Sequence, residues 1–389
     1  MKKRKVISLY TGAGGLDYGL EAAGFEVGVA VEMDSFCCKT IRQNRDWALI
    51  ESKIEDVDSK RLLKHGNLKL GEADILVGGP PCQPFSKSSY WVNGDTKRLD
   101  DPRANTLSQY MRVLNDTLPK AFLLENVFGL AYKNKDEGLQ YLLDEIKAIN
   151  KRSGVNYSIT WKVINAADYG VPQIRERVFM IGHREGKEFI FPQPRFRSRD
   201  SEQTLFDSIT EPYRTAWDAV GDLDNDSGAI SACAVGGKWS GLLPTIPPGM
   251  NYLWHSERGE GNPIFKWRSR YWCFLLKLHP ELPSWTIQAQ PGSAIGPFHW
   301  NNRRLTMREM ARIQTFPDDI EIMGGISQVQ KQLGNAVPSA IGELLGKEIR
   351  KQLFKDGNID SGQTLIPPKR KGIPKIDYKK SVPRKYLLG

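Results

Sequence analysis

A single cysteine in the first quarter of the chain stands in a setting suited to chemistry. Cys82 follows two consecutive prolines, Pro80 and Pro81, at the end of the apolar run 75–77. Proline fixes φ near about −65° and lacks an N–H donor, so the chain here is stiff and cannot continue as a central strand. Taken alone, Cys82 could be a small buried residue in a turn, because free cysteines are often buried. A thiol held rigidly at a strand end also suits a nucleophile.

A carboxylate and two guanidinium groups occupy similar positions farther along the chain. Glu125 ends an apolar run, and Arg175 and Arg177 come just before another. Because the carboxyl ends of parallel strands meet at one edge of a sheet, we expect Glu125 and Cys82 to face the same crevice. A thiol beside a carboxylic acid predicts acid-assisted nucleophilic catalysis, although Glu125 by itself could be a solvated strand end.

A glycine-rich turn precedes both positions. Residues 12–15, Gly-Ala-Gly-Gly, follow a strand pattern and lead into a helix pattern that begins at about Leu16. Glycines let the backbone approach a ligand closely, and Glu32 ends the second strand pattern, where a carboxylate can accept from ribose hydroxyls. The turn predicts a nucleotide-cofactor site, or else a purely structural turn. Asp17 stands where a third glycine would complete G-x-G-x-x-G, which disfavours a nicotinamide or flavin cofactor.

The elements that must position these residues alternate along the first half of the chain. Apolar runs typical of strands cover 6–10, 27–31, 75–77, 122–124 and 178–181. Helical spacing of apolar residues covers 105–117 and 139–149. This alternation predicts an α/β domain with a mostly parallel sheet, whose carboxyl edge would carry the site.

The composition and periodicity of the sequence change near residue 191. A stretch rich in Pro, Gly, Trp and Arg shows little periodicity, and we interpret it as a second, smaller, irregular domain. Beyond it, Thr306 and Glu309 fit a capping box at a helix start. A last helix is predicted over 339–354, followed by a basic tail with the composition of a linker or disordered arm. We divide the chain into segments 1–190, 191–302, 303–354 and 355–389.

Composition narrows the class of protein. The 389 residues carry a formal net charge of +10, and no run of 18 apolar residues could span a membrane. Five cysteines without paired spacing make a disulfide framework unfavourable and indicate a reducing compartment. The chain shows no C-x-x-C or H-E-x-x-H motif, so we expect no metal site. The positive charge favours nucleic acid as the partner over a membrane surface.

Taken in order, the motifs resemble those of the DNA cytosine-5 methyltransferases over nearly the whole chain. The matching segments are Tyr10-Thr11-Gly12-Ala13-Gly14-Gly15, Glu32, Gly79-Pro80-Pro81-Cys82-Gln83, Glu125-Asn126-Val127, Gln173-x-Arg175-x-Arg177, Arg303-Arg304-Leu305-Thr306-x-Arg308-Glu309 and Gly334-Asn335-Ala336-Val337-Pro338. The resemblance implies a Rossmann-like S-adenosylmethionine-dependent methyltransferase domain, with 191–302 as the target recognition domain. It also implies that the target cytosine flips out of the duplex into the crevice.

The resemblance assigns roles by position. Cys82 matches the nucleophile that adds to cytosine C6, and Glu125 matches the acid that contacts N3. Arg175 matches a residue that holds the base near O2, with Arg177 as its structural companion. The positions that match the S-adenosyl-L-methionine site, or lie next to such positions, are Tyr10, Thr11, Gly12, Gly14, Gly15, Leu16, Glu32, Met33, Ile54, Pro80, Asn335 and Val337.

Two positions depart from the pattern of that family. Tyr10 stands where the family often has Phe, a mild change because either ring can pack on the cofactor. Lys53 stands where the family usually has an Asp that accepts from the adenine amine, and a lysine cannot accept a hydrogen bond. Either Glu51, Glu55 or Asp56 replaces that acceptor, or backbone groups around Ile54 do.

The resemblance to bacterial restriction-modification enzymes implies a monomer in the bacterial cytoplasm, with double-stranded DNA as substrate and a cognate restriction endonuclease as counterpart. Two rivals stay open at this point. One is an RNA cytosine-5 methyltransferase, disfavoured because Cys273-Phe274 is followed by Leu rather than by the Thr of the transfer-RNA members. The other is a catalytically silent DNA-binding protein, disfavoured by intact Cys82 and Glu125. Mixed cation and aromatic clusters at 238–239, 266–268 and 270–272 suit DNA contacts, some of them being core instead.

Overall fold

The computed structural model describes residues 3–81, 105–131, 137–199, 210–223, 233–267, 271–290 and 292–387. The chain divides into two compact units. The first unit combines Met1–Ala166, Glu176–Gln193 and Ala336–Leu365. The second unit combines Ala167–Arg175, Pro194–Asn335 and Ile366–Gly389.

The described residues form the strands β1 (Arg4–Leu9), β2 (Phe25–Glu32), β3 (Leu49–Glu51), β4 (Ile75–Gly78), β5 (Ala121–Val127), β6 (Thr160–Asn165), β7 (Gln173–Ile174), β8 (Glu176–His183), β9 (Phe196–Arg197), β10 (Glu211–Pro212) and β11 (Ser284–Trp285). They form the helices α1 (Gly15–Ala22), α2 (Ser35–Asn44), α3 (Ser59–His65), α4 (Asn105–Thr117), α5 (Glu137–Ser153), α6 (Ala216–Val220), α7 (Met307–Ile313), α8 (Ile326–Asn335) and α9 (Ser339–Gln352).

The first unit is built on a seven-stranded sheet with the order β3-β2-β1-β4-β5-β8-β6. Pairing is parallel from β3 through β5, and β8 runs antiparallel to both β5 and β6. Strand β4 is buried along its whole length, as continuous apolar runs in a sheet covered on both faces should be. The expected α/β class with a mostly parallel sheet is confirmed.

The two helices α1 and α9 pack closely because glycines remove side chains from their contact. A Cβ built on Gly19 would lie 2.1 Å from the carbonyl oxygen of Ser339, and one on Gly342 would lie 2.5 Å from that of Leu16. Real Cβ atoms do not approach backbone oxygens so closely, so both positions require glycine. Since α1 begins at the glycine turn, this packing fixes the helix that leads out of the candidate cofactor site.

Most predicted elements of the first unit are present. Helix α4 has the predicted bounds, and the five predicted strands correspond to β1, β2, β4, β5 and β8. The sequence reasoning missed β3 and β6. The former has three residues, and the latter is an edge strand in which Trp161 is 41% exposed, so neither shows an apolar run.

The second unit has little regular sheet. The strands assigned to it among the described residues, β7, β9, β10 and β11, have two residues each. The predicted capping box at the start of α7 is confirmed: Thr306 Oγ1 accepts from the Glu309 N–H at 3.1 Å, and the Glu309 carboxylate accepts from the Thr306 N–H at 2.7 Å. Residues 303–335, which we assigned to a separate return segment, belong to this unit, whereas α9 belongs to the first.

The C-terminal tail differs from the linker or disordered arm that its composition suggested. From residue 366 onward it belongs to the second unit. The ring of Tyr386 stacks on Trp239 with centroids 5.7 Å apart, and its hydroxyl donates to the Lys238 carbonyl. The backbone N–H of Arg370 donates to Asp218 at 2.7 Å. The Trp239 ring and the buried Asp218 carboxylate therefore anchor the C-terminal tail, although the basic composition of the tail suggested a disordered segment.

Three further properties hold for the residues that the structure describes. No helix there is long and apolar enough to cross a membrane. No group of three or more His, Cys, Asp or Glu side chains in those ranges could hold a metal ion. Among the described residues, Cys37, Cys38, Cys233 and Cys273 form no disulfide bond.

Candidate functional site

The glycine turn of the first unit follows β1 and has a backbone that few side chains would permit. Gly12 and Gly14 have φ values of 58° and 86°, in the left-handed region that favours glycine. Tyr10 also lies there, with φ 54°, which is uncommon for an aromatic residue and frequent at ligand sites. Gly14 caps α1, so the N-terminus of this helix opens on the turn.

Glu32, predicted to contact a ribose, is tied to the same turn. One carboxylate oxygen accepts from the Gly12 N–H at 2.7 Å, and the other accepts from the N–H groups of Met33 and Asp34 at 2.8 and 2.7 Å. A carboxylate has about four lone-pair sites. Three are used here, which leaves capacity for one further donor such as a ribose hydroxyl.

The remaining cofactor positions of the first unit differ in exposure. Leu16, Ile54 and Val337 are buried, whereas Met33 is 63% exposed beside the Glu32 carboxylate. The Ile54 carbonyl accepts from the Arg112 guanidinium at 2.9 Å. No Cβ contact closer than 4.0 Å would arise at Gly12, so the turn leaves room for a ligand against the backbone.

The segment around Lys53 bears on which acceptor replaces the usual Asp. Lys53 is exposed and precedes a short 3-10 turn, Ile54–Asp56. The Glu51 carboxylate accepts from Arg42 at 2.6 Å, so it is already engaged. The charge of Glu55 contributes, after burial, to raising the pKa of Tyr10.

The predicted acid, Glu125, is paired with one of the two predicted arginines. Strands β5 and β8 pair antiparallel with Val127 opposite Arg177, and this register brings the Arg177 Nε to 3.0 Å from a Glu125 carboxylate oxygen. Burial lowers the pKa of Arg177, and the charge of Glu125 and its hydrogen bond to Arg177 oppose that shift. The pair places a carboxyl group, held in one orientation, at the carboxyl edge of the sheet.

The residues that precede Cys82 lie beside Glu125. A Cβ on Gly79 would be 2.8 Å from a Glu125 carboxylate oxygen, so a side chain at this position would push the carboxyl group away from its contact with Arg177. The Asn126 side-chain amide donates to the Pro80 carbonyl at 3.1 Å. Cys82 itself lies outside the described residues, and its role as nucleophile stays a prediction.

A residue that the sequence reasoning missed contacts this segment. Thr106, in the first turn of α4, donates from its hydroxyl to the Pro81 carbonyl at 2.8 Å. The Thr106 carbonyl in turn accepts from the Tyr10 hydroxyl at 2.8 Å. No motif marks Thr106, since its only sequence signal is its place at the start of a predicted helix.

The other two site predictions fall in the second unit. Arg175 is 1% exposed and donates from Nη2 to the Gly334 carbonyl at 2.9 Å. Asn335 ends α8 and is exposed. Beside Arg175 in the chain, Ile174 accepts from the Thr286 hydroxyl at 2.8 Å, and β7 pairs with β11.

The cation and aromatic clusters of the second unit fall into two kinds. Trp239 is partly buried and packs against Phe265, Phe274 and Tyr386. By contrast Trp267, Tyr271 and Trp272 are 43%, 51% and 44% exposed. The Arg258 guanidinium lies 4.2 Å from the centre of the Trp267 ring, a cation–π arrangement, while Arg268 and Arg270 lie outside the described residues.

Comparison with known proteins agrees with this geometry. The model of the C-5 cytosine-specific DNA methylase family matches residues 4–351. The type II methyltransferase M.SacI of Streptomyces achromogenes is 38% identical over 387 residues, covering 93% of this chain and 96% of that protein. The type II methyltransferase M.AquIA of Picosynechococcus is 41% identical over 226 residues, covering 57% and 89%. A solved structure of a Spodoptera frugiperda DNMT2 mutant is 17% identical with a TM-score of 0.61, covering 90% and 100%, which shows a shared fold.

Proposed function

The chain belongs to the C-5 cytosine-specific DNA methylase family, and from that premise we propose that it transfers a methyl group from S-adenosyl-L-methionine to C5 of a cytosine flipped out of duplex DNA. One observation carries the proposal. Glu125, a buried carboxyl group paired with the partly exposed Arg177, lies beside Gly79, three residues before Cys82 in the chain. A carboxyl group next to the backbone that leads to Cys82 supports the roles proposed for Glu125 and Cys82.

The residues of this edge account for each step that the protein must perform. The Cys82 thiolate adds to cytosine C6, while the Glu125 carboxyl group supplies a proton or a strong hydrogen bond at N3. Electron density then shifts toward C5, which would take the methyl group as the bond between that group and sulfur breaks. Loss of the C5 proton to a water molecule expels the thiolate, and a proton given to N3 returns to Glu125. Arg177 holds the Glu125 carboxyl group. The role near O2 that the resemblance implies for Arg175, a residue of the second unit, stays a prediction.

The glycine turn fits an adenosyl cofactor. Gly12 leaves room against the backbone, and Glu32 retains one acceptor site for a ribose hydroxyl. Tyr10 and Leu16 would line the site, and Glu55, Asp56 or the backbone around Ile54 would accept from the adenine amine in place of the usual Asp. When bound, S-adenosyl-L-methionine supplies an electrophilic sulfonium methyl group.

The biological setting follows from the relatives. M.SacI and M.AquIA are named type II methyltransferases. We assign this chain the same role, as a monomer in the bacterial cytoplasm that protects DNA from a cognate restriction endonuclease. Residues 191–302 would form most of the target recognition domain, with Trp267, Tyr271 and Trp272 among the exposed side chains that reach DNA.

Methyl transfer from radiolabelled S-adenosyl-L-methionine tests the function directly. Duplex DNA should be labelled and transfer RNA should not, and Cys82→Ser should abolish labelling while keeping cofactor binding, because a hydroxyl is a far weaker nucleophile. Duplex DNA with 5-fluorocytosine in its site should form a gel-stable adduct, since fluorine cannot leave as a proton does. Labelling of transfer RNA alone would assign the substrate to RNA, and substantial activity of Cys82→Ser would exclude the covalent mechanism.

The role of the recognition segment has a separate test. Replacing residues 191–302 with the matching segment of a related enzyme of known specificity should move methylation to the site of that enzyme, read by bisulfite sequencing. A folded, active chimera that still modified the original sequence would show that specificity lies elsewhere.

A further inference from the structure

Two hydrogen bonds connect the glycine turn to the backbone before the nucleophile. The Tyr10 hydroxyl donates to the Thr106 carbonyl, and the Thr106 hydroxyl donates to the Pro81 carbonyl, both at 2.8 Å. Tyr10 begins the turn assigned to the cofactor, and Pro81 is bonded covalently to Cys82. All of these described residues belong to the first unit. We call this set the Tyr10–Thr106–Pro81 relay.

We propose that Tyr10 and Thr106 are positioning residues, which hold the backbone that carries the nucleophile in register with the cofactor turn. This inference rests on the proposed function, because it takes Cys82 as the nucleophile. Neither side chain is assigned a contact with the cytosine. Their effect passes through the Pro81 carbonyl.

The chemistry of proline explains why side chains are needed to hold the backbone at Pro80 and Pro81. Pro80 and Pro81 have no N–H groups, so their part of the chain cannot be held by its own donors. Only their carbonyl oxygens can be fixed, and each accepts from the side chain of another element: Asn126 of β5 holds Pro80, and Thr106 of α4 holds Pro81. The first bond ties the segment to the Glu125 strand and the second ties it to Tyr10.

The hydroxyl of Tyr10 is suited to a permanent link. Burial raises the pKa of Tyr10, so its hydroxyl stays protonated and remains a donor throughout the working pH range. Phe would keep the ring beside the turn but would lose the bond to Thr106. Tyr10→Phe removes one oxygen atom and therefore tests the hydrogen bond while the packing of the ring is kept.

The test compares Tyr10→Phe, Thr106→Val and the double variant in the full-length protein. Single-turnover methyl transfer to duplex DNA and adduct formation on 5-fluorocytosine DNA are measured, with S-adenosyl-L-methionine affinity from calorimetric titration. Each single variant should slow both reactions about fivefold, the effect of one neutral hydrogen bond, with cofactor affinity changed less than about twofold. Because the bonds act in series, the double variant should be about as slow as either single variant.

Matched controls come from the same unit. Tyr157→Phe removes a buried hydroxyl that donates to the Pro119 carbonyl, and Thr117→Val removes a hydroxyl that donates within α4. Both should keep the reaction rate within about twofold. Thr106→Ser retains the hydroxyl and should restore the wild-type rate. Thermal melting of every variant checks folding, and Tyr10→Phe carries the test if Thr106→Val does not fold.

Wild-type rates in Tyr10→Phe and Thr106→Val would overturn the relay. An equal loss in the two control variants would also overturn it, because the effect would then be general destabilisation. The relay would also be overturned if the double variant lost rate by the product of the two single-variant losses. A wild-type enzyme that neither methylates nor forms an adduct would instead refute the proposed function, and the inference with it.

Discussion

The central sheet of the first unit and the loops of the second unit satisfy their backbone hydrogen bonds in different ways. Strands β1, β2, β4 and β5 pair with one another along most of their length. The strands of the second unit have two residues each, and charged side chains take over part of that work. Lys277, fully buried, donates to the Ile246 carbonyl at 2.8 Å and to Asn302 at 2.7 Å.

This difference predicts whether a mutation in each unit changes the reaction rate or the stability of the fold. In the first unit the sheet holds itself together, so polar side chains at its carboxyl edge are available for chemistry. In the second unit buried ions such as Arg303 and Glu309 are part of the framework, with bidentate contacts of 2.7 and 2.6 Å. We therefore expect changes at Glu125 to affect rate more than stability, and changes at Arg303 to affect stability first.

The largest effect is expected at the sheet edge. Glu125→Gln keeps the shape of the side chain but cannot deliver a proton readily, so single-turnover methyl transfer should fall by about 10²- to 10⁴-fold. DNA affinity, from fluorescence anisotropy, should stay near the wild-type value. Affinity lost in proportion to the rate would make Glu125 a binding group instead.

Breaking the buried ion pair between Arg303 and Glu309 should lower the stability of the protein more than it lowers the reaction rate. Arg303→Met leaves the Glu309 carboxylate, which is 0% exposed, without its bidentate partner. The free energy of unfolding from urea titration should fall by about 3–5 kcal/mol. The control Arg42→Met, which breaks the exposed pair with Glu51, should cost about 1 kcal/mol or less. Equal losses in the two variants would contradict the comparison.

A buried carboxyl group should make the first unit less stable as pH rises. Burial, with the charge of Glu21 adding to it, raises the pKa of Asp17 to about 7. The folded state therefore holds a proton that the unfolded state releases, so stability falls from about pH 4 to about pH 7, by about 4 kcal/mol at most. Urea titrations across this range should show the fall in the wild type and a smaller one in Asp17→Asn. Identical pH profiles would refute the assignment.

The buried lysine of the second unit should act in the opposite direction and over a different range. Burial lowers the pKa of Lys277 to about 8. Between about pH 8 and pH 10.5 the unfolded state binds the extra proton, so stability contributed at this position rises with pH, by about 3 kcal/mol at most. The stability of the wild type relative to Lys277→Met, measured at pH 8 and pH 10, should increase. A difference that stays constant would show that Lys277 does not lose its proton in the folded protein.

The fold class, the order of the motifs and most elements of the first unit could be predicted from the amino-acid sequence. Apolar runs and helical spacing are local properties, so they placed α4 with its observed bounds. The capping box of Thr306 and Glu309 was also predictable, because its partners stand three residues apart. The glycine-rich turn at Gly12 predicted a cofactor site, and the position of Glu125 at the end of an apolar run predicted an acid group.

The contacts that hold these residues in place could not be predicted from the sequence. The register of β5 against β8 paired Glu125 with Arg177, a contact that the sequence predicted for neither Arg175 nor Arg177. The bonds that join Tyr10 to Thr106 and Thr106 to Pro81 link residues far apart in the chain. Such contacts depend on strand register and helix packing, which no local pattern encodes, so the positioning of the site emerges only when the sheet is assembled.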